Sequence, residues 1–432
     1  MAIPNFITYK KILKKRNFLP FYVYDYNSLK RQIIKFKKNI PGNIRIFYVI
    51  KTNPNIAILK VIKKFNLGVV AVSLGELIVA KKTGFKTSDI FFAGSIKSDR
   101  EILEALKNDI SLFGLESLSE VQRMNKITKK MDKKSKVMLR FDASNFDPRG
   151  QNINKVFPAT NFGISLRDIE KVIPLFSKNF SNLDLKGIHI YNGTRIYEVD
   201  ISIRYIRDVF SVIKRLEEKF KFDFEKICIG GGFGSNVKQE FDEAVFLVKL
   251  KILLKEFNFD NKDIILELGR YLVNRSGVYV TEVIESKKRK NFNILVVGGM
   301  TNHLSRVIFK SNRDIQLLKE SISDYGITIL PERKGTLYPT SIRGQISSAI
   351  DIFGRNWICQ YLLPKSRPGD FVIIKGVGAY GLTTAITLFG SKSLAAEFML
   401  IDGKLELIRK NKTIDDFISD QKIPLALKRK KL

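Results

Sequence analysis

Ile44-Arg45-Ile46-Phe47-Tyr48-Val49-Ile50-Lys51-Thr52-Asn53 is an apolar run of strand length that stops on a lysine. A helical stretch from about Asn55 to Phe65 follows at once, and the same strand-then-helix unit recurs down the chain. Gly68 to Val72 precedes Gly75 to Thr83. Ile90 to Ala93 precedes a helix opened by the capping box Ser98 to Glu101, and Ile110 to Phe113 precedes one opened by a second box, Ser117 to Glu120. Lys136 to Phe141 leads through a long loop, Asn145 to Asn161, to a helix near Leu166 to Phe176. Leu183 to Ile190 is followed by a helix near Ile201 to Phe220, Ile227 to Gly230 by one near Glu240 to Phe257, and Asp263 to Glu267 is the eighth strand. This alternation predicts an α/β fold, a TIM-like (β/α)8 barrel over residues 25–277, with chemistry at the C-terminal ends of its strands.

Beyond Gly277 the texture changes. Val278 to Ile284, Asn293 to Val297, Ile327 to Leu330 and Asp370 to Lys375 are β-branched runs separated by glycine, proline and charged turns. They predict a second, mainly antiparallel β domain over residues 278–432, with residues 1–24, including the strand-like Phe21 to Tyr24, assigned to it.

The 432 residues are 44% hydrophobic and 27% charged, the balance of an ordinary globular protein. The most apolar stretch, Gly376 to Phe389, is too short and glycine-rich to span a bilayer. The N-terminal segment, with Lys10, Lys11, Lys14, Lys15 and Arg16, does not read as a signal peptide. Two cysteines, Cys228 and Cys359, make no disulfide framework, and a cytoplasmic location is the default expectation. The net charge of +32 is spread along the whole chain without a nucleic-acid-binding motif, so no nucleic-acid or membrane partner is predicted; Lys428 to Lys431 reads as a solvated tail. The two histidines, His189 and His303, form no Cys/His cluster at metal-ligand spacing, and no metal site is predicted.

Candidate chemistry collects at the strand ends. Lys51 suits imine formation, because an amine partly withdrawn from water titrates toward neutrality and can attack an aldehyde. Gly187-Ile188-His189-Ile190-Tyr191-Asn192-Gly193-Thr194 offers alternating rings and a hydroxyl. In Ile229-Gly230-Gly231-Gly232-Phe233-Gly234, consecutive glycines let backbone N–H groups approach a phosphate, although such clusters are commonly plain turns. Leu266-Glu267-Leu268-Gly269-Arg270-Tyr271 places an acid and a base three apart, which as a bare pattern also describes a structural ion pair. Gly378-Ala379-Tyr380-Gly381 and Cys359 are individually bland.

Together and in this order, the stretches from about Phe21 to Glu397 resemble the fold-type III pyridoxal-phosphate decarboxylases, the family of diaminopimelate, ornithine and arginine decarboxylases. YVIKTN, FAGSIKSDREI, the GGGFG run, ELGRYLV followed by GVYVTEV, GGM and GAYG carry that resemblance. It implies pyridoxal 5'-phosphate as cofactor, Lys51 as its Schiff-base lysine and Glu267 as partner of the pyridine nitrogen. It places His189 and Tyr191 at the cofactor ring, and Gly230, Gly231, Gly232, Thr194, Gly269, Arg270 and Tyr380 around the phosphate. Arg270, Gln360 and Tyr380 would meet substrate. Cys359 would protonate the product carbanion from a partner subunit, in a homodimer with shared active sites.

Several positions depart from the family pattern. Tyr191 stands where a histidine usually covers the ring, Val70 where an aspartate is usual, and Gly298 where an aspartate precedes GGM-like residues. Gln360 replaces the acid that reads a substrate's distal ammonium, so the charge pairing is lost; Glu332 or Asp351 are alternative readers. GIHIYNGT and FAGSIK look closer to the branch acting on amino acids tethered to acyl carrier proteins, whose acidic surfaces suit a basic enzyme. The readings in view are therefore decarboxylation of a carrier-bound or non-dibasic amino acid, decarboxylation of free diaminopimelate, and a non-catalytic cofactor-binding paralogue. An alanine-racemase-like enzyme fits less well, because Glu267 stands where racemases usually place an arginine.

Overall fold

A computed structural model describes residues 7–142, 162–191, 193–305, 325–353 and 361–428. The loop Asn145 to Asn161, Cys359, Gln360 and the tail from Arg429 onward lie outside the described residues. The chain divides into two compact units, one spanning Tyr26–Ser276 and the other joining the N-terminal segment up to Asp25 with the chain from Gly277 onward.

β1 (Phe21–Asp25) belongs to the second unit; β2 (Ile44–Val49), β3 (Gly68–Ala71), β4 (Ile90–Phe92), β5 (Leu112–Leu115), β6 (Ser135–Arg140), β7 (Leu183–Tyr191), β8 (Lys226–Gly230) and β9 (Asp263–Leu268) form the first. They close in that order into a parallel barrel, with β9 returning to β2 through the register Ile44↔Ile264 to Tyr48↔Leu268. The eight-stranded barrel anticipated from the alternation is present. The strand expected over Ile110 to Phe113 begins two residues later, and Ile50 leaves β2 to start a 3₁₀ turn, Ile50–Thr52.

Side chains alternate across each strand, and the inward set packs the lower barrel: Phe47, Val70, Phe91, Ala93, Met138, Cys228 and Ile265 form one cluster. Full burial of such an apolar side chain is worth roughly 1.5–3 kcal/mol, so these layers anchor the strand ends above them. Between the layers of loops runs a buried ion pair. Lys97, 1% exposed, meets Oε1 of the fully buried Glu120 at 2.9 Å and also donates to the carbonyls of Gly94 at 3.0 Å and Gly114 at 2.6 Å.

That pair explains a difference from the sequence reading. The box at Ser98–Glu101 forms in both directions, but at Ser117 only the hydroxyl half forms, accepting the Glu120 N–H at 3.1 Å. The Glu120 carboxylate is taken by Lys97 and by the Glu116 N–H at 2.8 Å.

The second unit holds β1 and, after Gly277, β10 (Gly277–Lys288), β11 (Asn293–Val297), β12 (Gly326–Leu330), β13 (Leu337–Arg343), β14 (Tyr361–Pro364), β15 (Phe371–Lys375), β16 (Ala396–Ile401) and β17 (Lys404–Arg409). The sheet runs β14-β13-β11-β10-β1-β16-β17, with β15 pairing both β10 and β12. It is mostly antiparallel; β1 with β16 and β11 with β13 are its parallel pairs. Beneath it, buried His303 lies between Tyr279 and Ser393. Nε2 faces the Ser393 carbonyl at 2.6 Å and so carries the ring proton, while Nδ1 faces the Tyr279 hydroxyl at 2.9 Å. Burial pushes the imidazole down from its usual value to about 4. Among the described residues no helix is long and apolar enough to cross a membrane.

Two outcomes follow. Lys97→Met leaves the buried Glu120 carboxyl without its partner, and is expected to cost about 3–5 kcal/mol in denaturant unfolding; a loss below 1 kcal/mol would show that the pair does not hold the loops. His303 stays neutral when folded but takes a proton when unfolded, so the unfolded state gains protons as pH falls from 6.5 toward 4 and stability drops across that window. His303→Gln should flatten that part of the stability–pH curve, and an unchanged slope would assign the acid sensitivity elsewhere.

Candidate active site

The polar residues at the barrel's C-terminal rim come from strand ends, where alternation turns them inward above the apolar layers. Glu267 is the penultimate residue of β9, in register with Phe47 on one side and Gly230 on the other. His189 on β7 is in register with Arg140 on β6 and Cys228 on β8. Two of these side chains, His189 and Cys228, meet at Glu267. His189 Nε2 lies 3.3 Å from Glu267 Oε1, and the Cys228 thiol donates to the same oxygen at 3.5 Å. Among the described residues neither ring nitrogen of His189, itself 2% exposed, makes an aligned hydrogen bond, and the ring meets Phe91 edge-on at 5.4 Å.

Burial works to raise the Glu267 pKa, but His189 beside it, with Arg140 and Lys51 further off, holds the carboxyl below its usual range. The Cys228 thiol is pushed well up, first by burial and then by the Glu267 charge. Arg140 is held by Glu116, whose Oε1 accepts from its guanidinium at 2.7 Å while Oε2 accepts the Gly163 N–H at 3.0 Å. Burial raises the Glu116 pKa against the pull of Arg140.

Lys51 stands on the 3₁₀ turn after β2 and is solvent-exposed. The partial desolvation expected for it is therefore not supplied by the barrel, because the residue sits one turn beyond the strand rather than on it. Its charge still acts on Glu267 and on Glu76, which lies in the first turn of the helix Leu74–Thr83 and accepts the Val72 N–H at 2.9 Å. Gly269, at the end of β9, lies against the Lys51 turn: an added Cβ would sit 2.3 Å from Thr52 Oγ1.

The glycine run holds three strand ends together. A Cβ on Gly230 would stand 2.8 Å from the Ile190 carbonyl, and one on Gly231 only 2.1 Å from the Glu267 carbonyl. Gly232 has φ +68° and lies against Gly193, where a Cβ would come within 2.0 Å of the Gly193 carbonyl and 3.4 Å of the Thr194 nitrogen. Only glycine lets these loops approach so closely while half-buried Thr194 stays beside them.

Tyr191 is 40% exposed, its ring 5.7 Å from the Arg140 guanidinium, whereas His189 rather than Tyr191 reaches Glu267. Arg270 opens the short helix Arg270–Val273 directly after β9. Tyr380 belongs to the second unit and has φ +58° in its turn. Asp351, held open in sequence as a reader of ammonium, is buried in the second unit with its carboxylate on the N–H groups of Thr301 at 3.0 Å and Ile346 at 2.6 Å. Val70 lies in the apolar interior, 2% exposed.

Arg140, Glu116, Glu76 and Cys228 were not singled out in sequence. The available signal was position: Arg140 is the last residue of its strand, Glu116 the first after its strand, and Cys228 shares the alternation phase of Gly230. The residues present fit pyridoxal phosphate. A buried carboxylate kept ionised suits a protonated ring nitrogen, and the glycine run brings the ends of β7, β8 and β9 together beside Thr194 at the same rim.

The family model of the pyridoxal-dependent decarboxylase pyridoxal-binding domain matches residues 26–274. Diaminopimelate decarboxylase from Campylobacter jejuni is 27% identical over 417 residues, covering 95% of this chain and 98% of that one. L-glutamyl-[BtrI acyl-carrier protein] decarboxylase from Niallia circulans is 26% identical over 429 residues and 95% of each chain. The crystal structure of Helicobacter pylori diaminopimelate decarboxylase complexed with L-lysine shares the fold, with a TM-score of 0.82 at 24% identity over 95% of this chain and 98% of that one. With the family model covering the whole barrel and the barrel rim built to suit its cofactor, this chain belongs to the pyridoxal-dependent decarboxylases.

Proposed function

We propose that the chain decarboxylates an α-amino acid whose distal end carries no free ammonium, a class that includes amino acids presented on a carrier protein. The observation that supports the chemistry is the Glu267 carboxylate, buried yet held below its usual pKa range within reach of the Lys51 charge. Pyridoxal phosphate, when bound, supplies a conjugated ring that accepts the electron pair left as carbon dioxide departs. Glu267 serves that ring by keeping the nitrogen facing it protonated. Lys51 is assigned to hold the cofactor through its amine, and its exposure leaves that amine open to approach. Gly230, Gly231, Gly232, Thr194, Gly269 and Arg270 are assigned to the phosphate, and Tyr380 joins them on the sequence resemblance alone.

His189 is assigned to orient Glu267, and Arg140, itself fixed by Glu116, to maintain the positive field that keeps it ionised. Cys359 enters on sequence alone, as the thiol of the second copy in a homodimer that delivers a proton to the carbon that lost its carboxylate. Gln360, also assigned from sequence, is the basis of the substrate class. An amide there cannot form the charge-assisted hydrogen bond of about 1.5–3 kcal/mol that an acid gives an ammonium, and Asp351 is already engaged with backbone. A second reading, decarboxylation of free diaminopimelate, is favoured by relatives of that name covering nearly the whole chain.

Two experiments test these assignments. Protein loaded with pyridoxal phosphate should absorb at the visible edge of the ultraviolet, and borohydride should fix the cofactor to the Lys51 peptide. Glu267→Gln should keep that attachment while slowing turnover by about a hundred- to a thousandfold; labelling at another lysine would remove the assignment. For substrate, free diaminopimelate, ornithine and lysine should be turned over roughly ten- to a hundredfold less efficiently than a neutral, acidic or carrier-tethered amino acid. Efficient turnover of free meso-diaminopimelate with no gain from tethering would establish the second reading instead.

A further inference from the structure

The three side chains around Glu267 Oε1 have a second chemistry. His189, Cys228 and Glu267 present an imidazole nitrogen, a thiol sulfur and a carboxylate oxygen, all buried, with these atoms within 4.8 Å of one another. Zinc takes such donors at about 2.3 Å for sulfur and about 2.0–2.2 Å for nitrogen and oxygen; tetrahedral angles then put N and O about 3.4 Å apart and S and O about 3.6 Å apart. The observed separations are 3.3 Å from His189 Nε2 to Glu267 Oε1 and 3.5 Å from Cys228 Sγ to the same oxygen. The independent observation is His189 itself: 2% exposed, with Nδ1 facing no hydrogen-bond partner among the described residues and Nε2 directed at the carboxylate without an aligned hydrogen bond.

We propose that His189, Cys228 and Glu267 form a binding site for a zinc-class divalent cation in the cofactor-free protein, and that cation and pyridoxal phosphate exclude one another there. Binding is charge-balanced: the thiol releases its proton to solvent, and the dication meets one thiolate, one carboxylate and one neutral imidazole. Arg140 opposes a cation from the neighbouring strand, but its charge is paired with Glu116 at 2.7 Å. Three protein donors leave a fourth tetrahedral position for water. Exclusion rests on the reading that Glu267 faces the cofactor's ring nitrogen, since a dication on the same carboxylate repels a protonated ring. The barrel rim thus has two alternative occupants, and a soft divalent cation delays cofactor loading.

Cobalt(II) is the probe, because a cobalt–thiolate bond absorbs in the near ultraviolet. Full-length protein without cofactor should develop this band and tetrahedral visible bands, saturating at one equivalent. Cys228→Ser should abolish the near-ultraviolet band, His189→Gln should weaken cobalt binding at least tenfold, and Cys359→Ser should retain both the band and the affinity. Melting curves for each variant separate lost ligation from lost folding. Protein whose cofactor has been fixed to Lys51 by borohydride should bind cobalt at least tenfold more weakly, and zinc added first should slow cofactor loading by a similar factor. Absence of the band in wild type, or its persistence in folded Cys228→Ser, overturns the site. Undiminished cobalt binding by the Lys51-fixed protein overturns the exclusion, and the fixation itself shows that the cofactor assignment has not failed.

Discussion

A carboxylate buried at the mouth of a barrel has to be compensated, and the rim of this one is arranged around that requirement. Removing an ion from water costs several kcal/mol even after relaxation. Glu267 recovers this through His189 at 3.3 Å, the Cys228 thiol at 3.5 Å, and the charges of Arg140 and Lys51. The compensation continues outward, because Arg140 needs a partner of its own. Glu116 supplies it, and its second oxygen takes the Gly163 N–H. Strands β5 to β9 are thereby tied together by one polar layer, and disturbing any member is felt at Glu267.

Below that layer the barrel is filled with apolar side chains. Phe47, Val70, Phe91, Met138 and Ile265 form it, so the rim rests on a close-packed floor that fixes the strand ends. The loops are fixed differently, by the Lys97–Glu120 pair with its backbone partners at Gly94, Gly114 and Glu116. A buried ion pair is a weak source of stability, but its many directed bonds leave little freedom in the loops it joins. Through the Glu116 N–H the same pair also steadies the carboxylate that holds Arg140.

The Lys51 surroundings depart from the family pattern in a way with a structural counterpart. At Val70 the strand contributes an apolar side chain to the floor instead of an acid to the rim. A carboxylate acts on Lys51 from the adjoining helix, through Glu76, and burial raises its pKa despite the Val72 N–H and the lysine charge. Tyr191 likewise does not take the place of His189 at Glu267; it lies half-exposed over Arg140. The surroundings of Glu267 are left to His189, Cys228 and Arg140.

By itself the sequence determined the barrel, since eight apolar runs, seven of them followed by a helical stretch, admit few other arrangements, and β-branched runs after Gly277 marked the second sheet. It also brought out Lys51, Glu267 and Gly230 to Gly232, because YVIKTN, ELGRYLV and GGGFG are contiguous motifs whose joint order carries the family resemblance. The Ser117 box shows the limit of such signals: Glu120 is recruited by Lys97, 23 residues earlier, and only half the cap forms. His189, Cys228 and Arg140 were visible as residues but not as partners of one carboxylate. Strand register and barrel closure decided that, because residues distant in sequence meet only when parallel strands are aligned to the residue and their inward side chains converge on one axis.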